Sequence, residues 1–213
     1  MNVVAITDIH GHTHFHDSVT HAIESADLIL IAGDITNFGG KREAQSILQT
    51  ITVLNKNVLA VPGNCDQFSV NQILAEQKYN LHGEMKIIKK TVLYGIGGCK
   101  KTPFHTPQEY SESQIANLLR GFERQADARF HILVSHTPPY RTTLDKMFLG
   151  LHVGSTAIRV FIEKFQPDLV ICGHIHEARG SDKIGKTIII NPGPFPKHYA
   201  AITLAEKIDY ELY

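Results

Sequence analysis

The sequence predicts an α/β fold in which two sheets pack face to face and helices flank them. Short apolar runs alternate with helical patterns through the first part of the chain, the signature of β-α units. That alternation breaks at "MKIIKKTVLYGIGG", which reads as two adjoining strands with no helix between them. The C-terminal part, after residue 172, is again rich in strand patterns.

Taken in order, Val3 to Thr7 is the first strand. Residues 15–25, "FHDSVTHAIES", place Phe15, Val19, Ala22 and Ile23 on one face of a helix. Leu28 to Ala32 is the second strand, residues 41–54 the second helix, Val58 to Val61 the third strand and residues 67–76 the third helix. After the two adjoining strands, residues 111–125 are predicted helical and Phe130 to Val134 extended. A polar loop runs from His136 to about Gly154. Ser155 has the chemistry of an N-cap, since its hydroxyl can accept an unpaired N–H of the first turn, and the helix it opens runs through Phe165. Leu169 to Cys172 is a strand. In "DKIGKTIIINPG" a Gly-Lys turn joins two strand-like runs, and "YAAITLA" and "IDYELY" supply two more.

The 213 residues suit one domain, residues 1–213, with a sizeable core. Lys plus Arg and Asp plus Glu balance at 21 each, whereas a long nucleic-acid track favours a basic excess, so nucleic acid is not expected as a main partner. No apolar run approaches the about 18 residues of a membrane span, and no membrane partner is expected. "MNVVAITDIHG" lacks a basic leader segment and reads as a strand at once. Cys65, Cys99 and Cys172 are scattered and odd in number, so a reducing cytoplasm is expected rather than a disulfide framework. A homo-oligomer is compatible with all of this.

Chemistry concentrates where strands end. Asp8 and His10 follow the first strand, Asp34 the second and Asn64 the third; His136 follows "HILVS", and His174 and His176 follow "LVIC". In open α/β sheets, ligands gather outside the carboxyl ends of the strands. If these strands are parallel neighbours, all seven side chains converge on one rim. In extended chain, residues two apart point to the same side, so Asp8 with His10, and His174 with His176, each offer two donors to one site. Each residue alone has an ordinary reading: a lone histidine is usually a surface or core residue, and Asp or Asn after a strand is a turn former. Their repetition at five strand ends points instead to metal. Asp, Asn and His donors suit zinc, manganese or iron. A bridging carboxylate can join two such ions, and Asp34, alone after a central strand, is the expected bridge.

"DIHG", "GDITN", "GNCD", "SHTPP" and "GHIH" occur in the order and spacing of the calcineurin-like metallophosphoesterases, and "INPGP" at 190–194 resembles the segment that often follows. The chain looks most like the small, cap-less prokaryotic members. The resemblance implies a four-layer α-β-β-α sandwich of two mixed sheets and a dinuclear centre. It would place Asp8, His10, Asp34 and His176 on one metal, and Asp34, Asn64, His136 and His174 on the other. It puts the chemistry on Asp34, Asn64 and His136. It implies two divalent ions, Mn2+ first and Zn2+, Fe or Ni2+ as alternatives. The implied reaction is hydrolysis of a small phosphate ester, a diester first, by a metal-bridging hydroxide.

One position departs from the family pattern. Many of its phosphatases have a histidine directly after the Asn of the third motif; here that residue is Cys65, and Asn37 stands where they often have Asp. A thiol donates hydrogen bonds weakly. General-acid catalysis from this position is therefore not expected, and esters with acidic leaving groups should be favoured. His152, in "GLHVGS", is the loop residue that would have to supply a proton instead. Two rival readings remain: a nuclease of the same superfamily, which wants a basic groove, and a catalytically weak scaffold for protein interaction. Such scaffolds tend to lose metal ligands, and all seven are present here.

Overall fold

The computed structural model describes residues 1–148 and 150–213. Residue 149, inside the loop predicted from 136 to 154, lies outside the described residues. In chain order the elements are β1 (Asn2–Ile6), α1 (Asp17–Ser25), β2 (Leu28–Ala32), α2 (Lys41–Leu54), β3 (Val58–Val61) and α3 (Phe68–Glu76). Then come β4 (Met85–Ile88), β5 (Thr91–Ile96), β6 (Cys99–Lys100), β7 (Glu109–Tyr110), α4 (Glu112–Leu119) and β8 (Phe130–Ser135). The chain closes with α5 (Thr156–Phe165), β9 (Leu169–Ile171), β10 (Gly180–Ile184), β11 (Thr187–Asn191), β12 (Ala200–Leu204) and β13 (Ile208–Leu212).

The strands form two large mixed sheets, ordered β13-β12-β1-β2-β3 and β10-β11-β9-β8-β5-β4. In the first, β1, β2 and β3 run parallel. In the second, β5, β8, β9 and β11 run parallel. Strands covered on both faces need apolar side chains at every position, and that is why β2 and β3 read as unbroken apolar runs. Alternation then sorts each strand between two cores. Val3 and Ala5 of β1 point between the sheets, where they meet Leu30, Val61, Ile132, Val134 and Ile171. Val4 and Ile6 point the other way, onto Val19 and Ile23 of α1, Ile47 and Ile51 of α2 and Val70 of α3. On the far side, Tyr94, Leu133 and Val170 pack against Ile115 of α4 and Ile158 and Ile162 of α5. The result is helix, sheet, sheet, helix, the predicted four layers. Each fully buried Ile, Leu or Val contributes about 1.5–3 kcal/mol, so the strand ends sit on a well-anchored base.

Most element boundaries fall within two residues of the sequence expectation. Ser155 does cap α5, its hydroxyl accepting the Ile158 N–H at 3.2 Å. Three expectations are corrected. The helix predicted over 111–125 ends at Leu119: Gly121 is a poor helix former, and Phe122 turns back into the core beside Tyr94. The short parallel pair β6 and β7, two residues each, carries no readable period. Finally, the five ligand-bearing strand ends are not neighbours in one sheet; three belong to the first sheet and two, β8 and β9, to the second.

Candidate metal centre

The two sheets meet at the carboxyl ends of β1, β2, β3, β8 and β9, and hydrogen bonds tie these ends across the interface. His136 donates from Nδ1 to the carbonyl of Ala32, at 2.8 Å. The Asp8 carboxylate accepts the backbone N–H of His174, at 3.1 Å to Oδ2 and 3.2 Å to Oδ1. Asp34 Oδ1 accepts the N–H of Cys65 at 2.8 Å. Beneath it, the fully buried Asp66 accepts the N–H groups of Ile35, Thr36 and Gly63 and the Thr36 hydroxyl, at 3.1, 2.7, 2.7 and 2.8 Å. One carboxylate thus locks the loop after β2 to the loop after β3.

The backbone reaches this arrangement at a cost. Asp8, His10, Asp34 and His174 all have left-handed φ, at 54°, 46°, 48° and 71°. Such conformations cost non-glycine residues energy and cluster at functional sites. They also correct the expectation that each pair shares a side because its chain is extended. Positive φ at His174 and a tight turn from His176 to Ala178 aim these two rings instead. Gly63 is required by close approach, since a Cβ there would lie 1.9 Å from Asp34 Oδ1.

The side chains form two groups that share Asp34. In the outer group, His10 Nε2 and His176 Nε2 face each other at 3.2 Å. Asp8 Oδ1 lies 3.4 Å from His176 Nε2, and Asp34 Oδ2 lies 3.6 Å from His10 Nε2. In the inner group, Asn64 Oδ1 is 2.9 Å and Asp34 Oδ1 3.5 Å from His136 Nε2. The His174 ring sits beside that of His136, their centroids 5.1 Å apart. All seven predicted residues are therefore brought together, and His174 and His176 fall beside different partners.

The donor set fits cations. With Nδ1 of His136 given to the Ala32 carbonyl, Nε2 is the ring atom aimed at the oxygens of Asn64 and Asp34. The facing nitrogens of His10 and His176 set a second lone-pair pocket beside the Asp8 carboxylate. The triplets Asp8-His10-His176, Asp8-Asp34-His136 and His10-Asp34-Cys65 each gather ligand atoms within 4.8 Å. Burial holds His10 below the usual imidazole range and, with the neighbouring His136, brings His174 down to about 4. Both rings are then neutral at ordinary pH, as metal binding requires. The hydrogen bond to Asp8 raises His176. For Asp8 itself, burial works upward, but His176 and His136 outweigh it and hold the carboxyl low. Burial and the Asp34 charge push the Cys65 thiol well up, away from the thiolate form that nucleophilic attack needs. The same two causes raise Asp66 to about 6.

Two supports went unread in the sequence. Asp66 stands in "GNCD", where a buried acid and a turn residue look alike. Thr7 Oγ1 lies within hydrogen-bond reach of Asp8 Oδ2 and the Ala32 carbonyl, at 2.9 and 3.1 Å. Beside the centre opens a cavity of about 700 Å³. Its lining includes Asn64, His174 and His176 of the centre, the basic Lys100 and Lys101, and the apolar Phe104, Met147 and Leu151.

Comparison with known proteins bears on the family and the fold. A protein of Methanocaldococcus jannaschii described as uncharacterized is 42% identical over 200 residues, covering 91% of this chain and 88% of its own. A "Probable glycerophosphodiester phosphodiesterase" of Arcobacter nitrofigilis is 24% identical over 184 residues, covering 84% of this chain and 66% of its own. Among solved structures, a dimetal phosphatase from Danio rerio superposes with a TM-score of 0.66 at 11% identity, covering 100% of this chain and 95% of its own; that likeness concerns the fold alone. The model of the calcineurin-like phosphoesterase family matches residues 1–178, five-sixths of the chain with every strand-end residue included, and the chain belongs to that family.

Proposed function

We propose that this protein is a metal-dependent phosphodiesterase acting on a small substrate. In this reading Asp8, His10, Asp34 and His176 hold one divalent cation, and Asp34, Asn64, His136 and His174 hold the other. The observation that carries it is the placement of Asp34, whose Oδ2 faces the outer group and whose Oδ1 faces the inner one. Bound there, two divalent ions would polarise the phosphoryl oxygens and lower the pKa of a coordinated water.

The chain's own residues do the rest. Asp8 and Asp34 supply the negative charge that keeps cations in place, and the Ala32 carbonyl holds His136 in the tautomer that leaves Nε2 free to ligate. Lys100 and Lys101 lend positive charge to the cavity, which attracts an anionic ester. A diester is favoured over nucleic acid because net charge is balanced and the cavity is compact. The phosphodiesterase name of the Arcobacter nitrofigilis relative supports the same choice. Mn2+ is the first ion to supply, and the cytoplasm is the proposed location. Among the described residues no helix is long and apolar enough to cross a membrane.

The test is a panel of phosphomonoesters, phosphodiesters and cyclic nucleotides, with added Mn2+ and with chelator. Mn2+-dependent turnover of diesters is expected. Tight metal binding without turnover of any ester would favour the scaffold reading instead.

A further inference from the structure

Cys65 leaves the departing alcohol without a proton donor at the family's usual position. The loop between β8 and α5 offers one from another direction. Asp145 is fully buried and accepts the N–H groups of Arg141, Thr142 and Gly154, at 3.1, 2.8 and 2.9 Å. Its Oδ1 also receives Nδ1–H of His152 at 2.7 Å. His152 lines the same cavity as Asn64, His174 and His176. Its side chain keeps 34% of its surface exposed, while that of Asp145 keeps none. With Nδ1 committed to Asp145, Nε2 is the remaining ring nitrogen, and it has no hydrogen-bond partner among the described residues. A buried carboxylate behind an imidazole fixes its orientation and steadies the imidazolium, as in other acid–base dyads.

We propose that His152, oriented by Asp145, is the proton donor to the leaving group of the phosphodiester. This rests on the hydrolytic reading above. Water oxygen bonds to phosphorus as the ester P–O bond breaks, and that bond's electron pair leaves on the alcohol oxygen. The oxygen takes the proton from Nε2 of the His152 imidazolium. The ring becomes neutral with Nδ1–H still on Asp145, the proton released by water passes to solvent, and solvent reprotonates Nε2. In this scheme His152 is a catalytic residue and Asp145 a positioning residue. Phe104, Met147 and Leu151, in the same lining, give the alcohol half an apolar seat.

The test compares wild type, His152→Ala, His152→Gln and Asp145→Asn on diesters that release p-nitrophenol, phenol or an alkyl alcohol. General-acid help is worth about 10²–10⁴-fold and matters most for basic leaving groups. Both His152 variants should lose about 10²-fold or more on the alkyl ester and less than about 3-fold on the p-nitrophenyl ester, so the dependence on leaving-group pKa steepens. Added imidazole should restore part of the alkyl-ester rate in His152→Ala. Nitrogen NMR of the metal-free protein should show a protonated Nδ1 on His152 that changes in Asp145→Asn. Equal losses on all esters, no imidazole rescue, or an unprotonated Nδ1 would overturn the assignment. Wild type inactive on every ester would defeat the parent reading itself, and this inference with it.

Discussion

The two halves of the centre are built at different depths. The inner half, Asn64 and His136, is buried in the seam between the sheets, with His136 fully covered and bonded to Ala32. The outer half is open: the His176 side chain keeps 45% of its surface and that of His10 keeps 21%. In the proposed centre His136 would therefore serve both the fold and the site, whereas His176 would serve the site alone. Substitutions in the two halves should fail in different ways, and that difference separates a ligand role from a structural one.

Asp34 belongs to both halves, so its loss should be the most severe. Asp34→Ala and Asp34→Asn are expected to lose at least one bound metal and at least about 10³-fold in hydrolysis, since each ion supplies several kcal/mol of charge stabilisation. Metal analysis and turnover of the purified variants check this; full occupancy with normal turnover would remove Asp34 from the centre.

The next contrast is His136→Ala against His176→Ala. The first should lower the melting temperature of the metal-free protein by on the order of 5–10 °C, because it opens a buried cavity and removes a buried hydrogen bond to the Ala32 carbonyl. The second should leave that temperature within about 2 °C, its ring being nearly half exposed, yet weaken metal binding by about 100-fold or more. Thermal melts with chelator, alongside metal titration, distinguish the two. If His176→Ala destabilises the metal-free protein as much as His136→Ala does, the proposed division between depth and function is wrong.

Acid should act through the same rings. His174 titrates near 4 in the folded chain, against about 6.5 for an unperturbed histidine. Its contribution is complete above about 6.5 and is lost as pH falls toward 4, because the unfolded chain takes up a proton that the folded one refuses. Burial lowers His10, His82 and His131 in the same direction, while His176, raised by Asp8, and Asp66, raised to about 6 by burial and the Asp34 charge, oppose them. Across this window the metal-free wild type should lose on the order of 5 °C more in melting temperature than His174→Gln, which lacks that group. The loaded protein should lose more, since protonation also releases the ions. Melts of wild type and His174→Gln at a series of pH values, with and without Mn2+, measure both; metal-free profiles of equal slope would refute the assigned burial of His174.

The smallest effect is expected at Cys65. Its backbone N–H bonds Asp34 whatever the side chain, and its thiol lies against the same carboxylate. Cys65→Ser should keep hydrolysis of p-nitrophenyl diesters far short of the about 10²-fold loss that follows removal of a proton donor. Abolished turnover with both metals retained would mean that the thiol has a chemical role.

Much of this site could be read from residue types alone. Unbroken apolar runs mark strands covered on both faces, and Asp8, Asp34, Asn64 and His136 stand where such runs stop. The grouping around Asp34 also follows the motif order. Other features depend on contacts between distant segments. The left-handed φ at His174 is fixed by the tertiary fold, since most histidines adopt negative φ and nothing in the residue type alone marks this one. The buried role of Asp66 depends on three backbone N–H groups from two loops. The pairing of Asp145 with His152 arises only once their loop is closed.

The most direct test is to titrate Mn2+ into the metal-free protein while following hydrolysis of bis(p-nitrophenyl) phosphate. A dinuclear centre sharing Asp34 predicts no turnover in chelator and activity that saturates at two equivalents of metal per chain. Saturation at a single equivalent, or turnover that persists in chelator, would contradict it.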